Sequence, residues 1–257
     1  MAHQFEIAKD VEVEASPEQV WEAIATGPGM DSWFMGRNEI EPREGGSARW
    51  SLGDFTMEST VTTWDPPSRF VFRQPDAPDG AFHQFDYRIE RGQRGGTRVR
   101  FVHTGALSGD DWEAEYEAMG EGDPAYLQKL VQYVTHFSGR FAVPVDVPGP
   151  NVPVPDSDHV MATYGRALGL GDDVAVGDKV QVTPAGLAPI DGVVDFVSAH
   201  FIGVLTDDAI YRFIHGFEGT TMVGHHLFAE GVDRDAAEAA WRTWLNGLFA
   251  GGDRTAG

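Results

Sequence analysis

The feature that most constrains this fold is the opening of the chain, where an alternating strand runs directly into a capped helix. Alternate positions from Phe5 to Val13 are mostly apolar and the residues between them mostly acidic, which is the pattern of a strand with one buried face. The sequence Ser16-Pro17-Glu18-Gln19 follows, with an N-cap hydroxyl, a proline at the first helical position and a glutamine at N3. We therefore predict a strand and a helix laid back over it, followed by the aromatic pair Trp33-Phe34.

Charge and cysteine content exclude several classes of function. The 257 residues carry a net charge of −21, from 40 acidic and 19 basic residues. Nucleic acids and anionic membranes are bound by positive surfaces, so we expect neither as a partner. The absence of cysteine excludes disulfides, thiolate nucleophiles and cysteine-ligated metals.

The N-terminal segment predicts a cytoplasmic location. Met1 to Gln4 lack the basic start and apolar run of a signal peptide. No apolar stretch approaches the roughly 20 residues that span a bilayer.

Periodicity predicts an antiparallel sheet closed by helices in the first half. Alternating segments joined by short turns amount to about seven strands up to His103. A short acidic helix is expected over 110–119, and Asp123-Pro124 is expected to cap a second, long amphipathic helix reaching Phe141. Such a helix must bury its apolar stripe against the sheet.

A proline-rich stretch divides the chain. Residues 143–155 contain five prolines, which predicts an extended linker rather than a regular element. We therefore expect a first domain over 1–142 and a second over 156–257. The second repeats the order of helix, five short strands and long C-terminal helix, so we interpret it as a degenerate, shortened copy that lacks the opening strand and its Ser-Pro cap.

These motifs resemble a known superfamily. The strand leading into Ala15-Ser16-Pro17-Glu18-Gln19-Val20-Trp21, then Trp33-Phe34, Gly45-Gly46 and Trp64-Asp65-Pro66-Pro67, are similar to the SRPBCC superfamily of START and Bet v-like proteins. Within it they resemble the AHSA-like family, homologues of the activator of the heat-shock chaperone's ATPase. The resemblance covers roughly residues 3 to 141, and its motifs are structural rather than catalytic.

The resemblance implies an α+β helix-grip fold, a curved antiparallel sheet wrapped on a long C-terminal helix with an apolar cavity between them. Members of the superfamily bind lipids, sterols, polyketides and plant hormones, some act as cyclases or hydrolases, and others assist chaperones. A fold leaves the function open.

An unusually aromatic inward set predicts a pocket for a small hydrophobic molecule, because aromatic side chains combine large apolar area with some polar tips. The expected ligand-binding residues are Trp33, Phe34, Trp50, Met57, Phe72, Phe85, Tyr87, Phe101, His103, Trp112, Tyr116 and Tyr133. The alternative is an ordinary packed core. We expect no cofactor, no metal and no defined catalytic residue.

Histidines supply the only candidate chemistry. His103 is in phase with Phe101, and His83 with Phe85, so both should face inward and could orient a ligand or move a proton. A structural, hydrogen-bonded histidine is the more frequent outcome. His225-His226 cannot both ligate one ion, since consecutive strand residues point to opposite faces. The acidic run from Asp110 to Glu117 is expected to be a solvated helix face.

Two functions of different classes follow, with an enzyme as a third. The first is binding of a hydrophobic, aromatic or lipid-like molecule. The second is a protein-interaction module, such as a chaperone cofactor or regulator, with a protein partner or a homodimer. The third is a cyclase or hydrolase that uses His103 and the cavity tyrosines. For the second half, either it packs on the first, or its helix with Trp241 and Trp244 closes a lid or a dimer interface.

Overall fold

The chain forms two compact units. The computed structural model describes residues 2–92, 95–151, 156–216 and 219–250. The units comprise residues 1–142 and 143–257, and residues 152–155 of the expected linker lie outside the described ranges. None of the helices described there combines the length and apolar character needed to cross a bilayer.

The first unit is a seven-stranded antiparallel sheet with helices. Its elements are β1 (His3–Val13), α1 (Pro17–Ala25), α2 (Gly27–Met30), β2 (Arg37–Ile40), β3 (Ser47–Leu52), β4 (Phe55–Asp65), β5 (Arg69–Arg73), β6 (Phe82–Arg91), β7 (Thr97–Leu107) and α3 (Trp112–Gln132). The strand order is β1-β7-β6-β5-β4-β3-β2. The first strand thus pairs with the last, and the others follow as hairpins.

The junction between β1 and α1 forms as the sequence predicts. The Ser16 hydroxyl accepts a hydrogen bond from the Gln19 N–H at 3.3 Å, and the Gln19 side chain accepts from the Ser16 N–H at 2.8 Å. This reciprocal cap fixes where α1 begins. Val20, Ala23 and Ile24 of α1 are fully buried, so the helix packs its apolar face into the core.

The closing helix is one element rather than two. α3 runs continuously from Trp112 to Gln132 with Pro124 inside it, and a π-helical turn, Tyr133–Phe137, follows. The predicted break at Asp123-Pro124 is therefore wrong. An interior proline costs about 3 kcal/mol, but burying Leu127 and Leu130 contributes about 1.5–3 kcal/mol each, which offsets it.

The second unit repeats this layout with one strand fewer. Its elements are β8 (Val143–Pro148), α4 (Ser157–Leu168), β9 (Lys179–Val182), β10 (Ile190–Val197), β11 (Phe201–Leu205), β12 (Ala209–His215), β13 (Thr221–Leu227) and α5 (Arg234–Phe249). The order β8-β13-β12-β11-β10-β9 again places the first strand beside the last. The α+β helix-grip fold with a second, degenerate copy is thus confirmed.

The second unit does have an opening strand, contrary to the prediction. Residues 143–148, expected to belong to a linker, form β8, which pairs with β13 through Val145 opposite His225 and Val147 opposite Val223. β8 lies at the edge of its sheet. Prolines are tolerated on an edge strand, where alternate N–H groups need no partner, and Pro144 and Pro148 share one phase of β8. A high proline count was therefore not evidence against a strand here.

The core of the second unit is filled by large side chains from α4, the sheet and α5. Tyr164 stacks on Trp244 with ring centroids 6.0 Å apart, and Phe213 lies 5.8 Å from Trp241. Trp241 and Trp244 are each only 5% exposed. They belong to this core, so the interpretation of α5 as a lid or dimer surface built on these tryptophans is wrong.

Candidate functional site

Two histidines and an aspartate form a hydrogen-bonded chain on the inner face of the first sheet. The Asp123 carboxylate lies 2.9 Å from His103 Nδ1, and His103 Nε2 lies 3.0 Å from His83 Nδ1. His83 Nε2 is 3.7 Å from a Glu115 oxygen. We call Asp123, His103 and His83 the histidine chain.

The histidine chain leads from the interior toward the surface. The side chain of His103 is 4% exposed, that of His83 20% and that of Glu115 39%. The Asp123 side chain is 15% exposed, so His103 is the most buried member of the histidine chain and His83 is its most accessible one.

Strand register and one glycine bring the two histidines together. In the pairing of β6 with β7, Phe85 faces His103 and His83 faces Gly105, so the histidines are diagonal neighbours on one face. Gly105 also faces Phe5 of β1. A Cβ at position 105 would lie 2.8 Å from the Phe5 ring, so glycine leaves the space that this ring occupies beside the histidines.

Aromatic rings surround the histidine chain. The His103 ring stacks on Phe85 at 4.3 Å between centroids and meets Phe5 edge-on at 5.0 Å. His83 lies 5.7 Å from Phe5. The histidine chain is thus a row of polar groups surrounded by apolar rings. In such surroundings hydrogen bonds are stronger than in water, and unpaired polar atoms are costly.

This environment alters the proton affinity of three groups. Burial and the neighbouring His103 lower the pKa of His83 to about 4, so His83 is neutral at physiological pH. Burial raises the pKa of Glu115. Burial, together with the negative charge of Asp123, also raises the pKa of Tyr87, which keeps the phenol protonated.

The predicted lining residues on β5 to β7 come together as one group. Phe72 stacks on Phe85 at 5.0 Å, and Tyr87 lies 5.0 Å from Phe101. Phe72, Tyr87 and Phe101 are buried. With His103 they form a continuous aromatic strip on the inner face, which we call the strand strip.

A second group of predicted residues gathers at β3 and β4. Phe34 lies 5.6 Å from Trp33 and 6.1 Å from Trp50, and Met57 pairs with Trp50 across the strands. The Trp33 indole donates to the Ala23 carbonyl at 2.9 Å and the Trp50 indole to the Met35 carbonyl at 2.7 Å. Since both indole N–H groups bond to backbone, these tryptophans hold the fold.

The residues predicted on the closing helix do not join the strand strip. Trp112 stacks on His3 at 4.1 Å, and Tyr116 is 40% exposed, with its ring 6.2 Å from Phe5. Tyr133 lies in the π-helical turn, where its hydroxyl donates to the Arg140 carbonyl. The expected inward position is therefore wrong for Trp112 and Tyr116, because the first half of α3 lies at the rim of the sheet.

Sequence reasoning missed three members of the site. The sequence predicts a helix cap for Asp123, a solvated face for Glu115 and only a strand position for Phe5. Asp123 lies four positions before the buried Leu127, on the same helical stripe. That spacing indicates a sheet-facing carboxylate once α3 is read as one helix.

Two shallow depressions on the surface of the described residues lie away from the strand strip. One is lined by residues 169–171, 173–174 and 178–181, and the other by residues 45–47, 58–60 and Pro75. The inner rings contact one another, with centroids 4.3 to 5.0 Å apart.

Comparison with known proteins identifies the first unit. Residues 14–135 match the family described as Activator of Hsp90 ATPase homolog 1-like protein. The first unit belongs to this family. The matched range extends from the end of β1 through α3, and it contains the whole histidine chain.

Solved structures similar to this chain have low sequence identity. The Aha1 dimer of Colwellia psychrerythraea is 19% identical, covers 52% of this chain and 99% of its own, and has a TM-score of 0.45. Protein BH1534 of Bacillus halodurans is 24% identical, with coverages of 52% and 99% and a TM-score of 0.45. The di-domain ARO/CYC BexL from the BE-7585A biosynthetic pathway is 18% identical, with coverages of 95% and 94% and a TM-score of 0.47. No curated protein matches significantly.

The second unit carries buried polar groups of its own. His225 packs on Trp241 at 4.3 Å between ring centroids, and its Nδ1 accepts from the Arg212 N–H at 3.1 Å. His226 pairs with Ile210 and so lies on the other face, as strand alternation requires. In the described ranges, no group of three or more histidine, aspartate or glutamate side chains is arranged to hold a metal ion.

A buried ion pair lies on that other face. Arg212 binds Asp195 through two hydrogen bonds of 2.8 and 2.6 Å, and the two side chains are 1% and 4% exposed. A Cβ at Gly203 would lie 2.5 Å from the guanidinium, so glycine makes room for the pair. The geometry is that of a bidentate structural salt bridge.

Proposed function

We propose that the first unit binds a small hydrophobic molecule, aromatic or lipid-like, between the inner face of its sheet and α3. The observation that carries the proposal is the continuity of rings from the buried strand strip to the rim. Phe85 stacks on His103, His103 contacts Phe5, and Phe5 contacts the partly exposed Tyr116. Aromatic surfaces with a few polar groups are the usual lining of ligand sites.

The first half of α3 is the element that would move on entry. It contains Gly120 and Gly122, and the space around both is open. Glycine within a helix costs about 0.5–1 kcal/mol relative to alanine, and Pro124 removes a further helical hydrogen bond. The segment before Pro124 is therefore weakly held, whereas Leu127 and Leu130 after it are buried.

Fluorescence titration of the full chain tests the proposal. The neutral probe N-phenyl-1-naphthylamine becomes bright in apolar surroundings and is not repelled by the negative charge of the protein. We expect saturable binding to the unmodified protein and weaker binding to the Phe101→Leu variant. Phe213→Leu is the matched control, since Phe213 is equally part of a core, that of the second unit.

Two outcomes would contradict this function. A lack of saturable binding would do so, and would favour the alternative of a protein-interaction module. Equal weakening by Phe101→Leu and Phe213→Leu would show that the probe reports general loosening of the fold rather than a site in the first unit.

A further inference from the structure

The partners of the histidine chain fix the position of its protons. The Asp123 carboxylate can only accept, so His103 Nδ1 carries a hydrogen and donates to it. His83 is neutral at physiological pH, and we assign the 3.0 Å contact as a hydrogen bond from His83 Nδ1 to His103 Nε2. His83 Nε2 is then left as an unprotonated nitrogen at the outer end.

The outer nitrogen has room for a further partner. Its distance of 3.7 Å to the Glu115 oxygen exceeds that of a hydrogen bond. The rings of Phe5 and Phe85 flank His83, with centroids at 5.7 and 6.4 Å. The outer nitrogen of the histidine chain thus lies beside aromatic rings, on a side chain that is partly exposed.

We infer that His83 Nε2 is the hydrogen-bond acceptor of the site and selects apolar molecules that carry a hydroxyl or N–H group. This inference rests on the proposed function and adds the chemical class of the ligand. A ligand without a donor would cover the nitrogen and leave it unpaired, whereas a ligand with a donor would satisfy it. Asp123 acts through His103 to hold the tautomer, so both are positioning residues.

Two probes with the same ring system measure this selection. 1-Naphthol carries a hydroxyl, and 1-methoxynaphthalene has the same rings without a donor. For the unmodified full chain we expect naphthol to bind about tenfold more tightly, the factor that one net hydrogen bond confers. Isothermal titration calorimetry at pH 7 gives both dissociation constants.

Two variants of His83 assign the preference to one atom. The His83→Asn amide can still donate to His103, but it has no atom at the position of Nε2, so the tenfold preference should vanish. The His83→Gln side chain reaches that position with an acceptor oxygen and should restore part of the preference. A structural role alone would not distinguish the two variants in this way.

The outcomes separate the two proposals. Equal affinity of the unmodified protein for both probes would overturn the acceptor role and leave hydrophobic binding intact, as would a preference that persists in His83→Asn. Failure of both probes to bind would overturn the proposed function as well.

Discussion

Replacing His83 with asparagine should remove part of the pH dependence of the protein's stability. Burial and His103 lower the pKa of His83 from the ordinary 6.5 to about 4 in the folded protein. Between these values the unfolded chain holds a proton that the folded protein does not. The free energy of unfolding therefore falls as the pH is lowered from about 6.5 to about 4 and is level on either side. The asparagine side chain does not titrate in this range, so the variant should lack this part of the pH dependence.

The size of the effect follows from the same two values. The difference between 6.5 and about 4 corresponds to roughly 3 kcal/mol at about 1.36 kcal/mol per pH unit. Because the His83 side chain is 20% exposed and solvent reduces the penalty, we expect about 2–3 kcal/mol. The charged and titratable groups that face His83 are His103 on β7 and Glu115 on α3, while β1 presents the uncharged Phe5.

Comparing the unmodified protein with His83→Asn separates the contribution of His83 to the pH dependence of stability from those of other titrating groups. The raised pKa of Glu115 acts in the opposite direction, since the folded protein then holds the additional proton. The lowered pKa of His215, caused by burial and by His200, acts in the same direction as His83. Glu115 and His215 are present in both the unmodified protein and His83→Asn. Their contributions therefore cancel to first order in the difference between the two free energies of unfolding.

Urea unfolding between pH 4 and pH 7.5 measures this difference, and the NMR shift of the His83 ring gives its pKa directly. The stability of the unmodified protein relative to His83→Asn should decrease by about 2–3 kcal/mol from pH 7 to pH 4. Replacement of the exposed His136 controls for loss of an imidazole. A difference between the two proteins that stays constant over the whole range would refute the reasoning.

Three further substitutions test other parts of the structure by urea unfolding and binding kinetics. Asp195→Ala leaves Arg212 buried without its counter-charge and should cost about 3–5 kcal/mol; a cost below 1 kcal/mol would contradict the buried pair. Gly105→Ala places a methyl group against the Phe82 carbonyl oxygen and 2.8 Å from the Phe5 ring, so it should destabilise by about 1–3 kcal/mol or more. The Cβ of Gly120→Ala meets open space, so this substitution should stabilise the protein by about 0.5–1 kcal/mol. It should also slow the association of N-phenyl-1-naphthylamine measured by stopped flow, and an unchanged association rate would argue against movement of α3.

Elements defined by local signals could be predicted from the sequence. The junction of β1 and α1 rests on alternation and on the Ser16–Gln19 cap, which act within a few residues. The alternation that places His83 and His103 in phase with Phe85 and Phe101 also holds in the register of β6 and β7. Such patterns require no knowledge of distant partners.

Elements decided by distant contacts could not be predicted in this way. The prolines of β8 indicate a linker until its pairing with β13 is known. The glycines and Pro124 indicate a break in α3 until burial of its second half against the sheet is included. The role of Asp123 depends on both the continuity of α3 and the register of β7, so its contact with His103 follows from the tertiary structure alone.

The two units use the same layout in different ways, which explains why the binding function is assigned to the first. In the second unit, Phe213, Trp241 and Trp244 fill the side of the sheet covered by α5, where the fully buried His225 packs on Trp241. The buried Arg212–Asp195 pair lies on the opposite face. In the first unit the histidine chain lies on the inner face of the sheet and reaches its rim at His83. Polar groups in an apolar interior are costly unless they are paired, and His83 Nε2 is the atom of the chain that a ligand donor can pair.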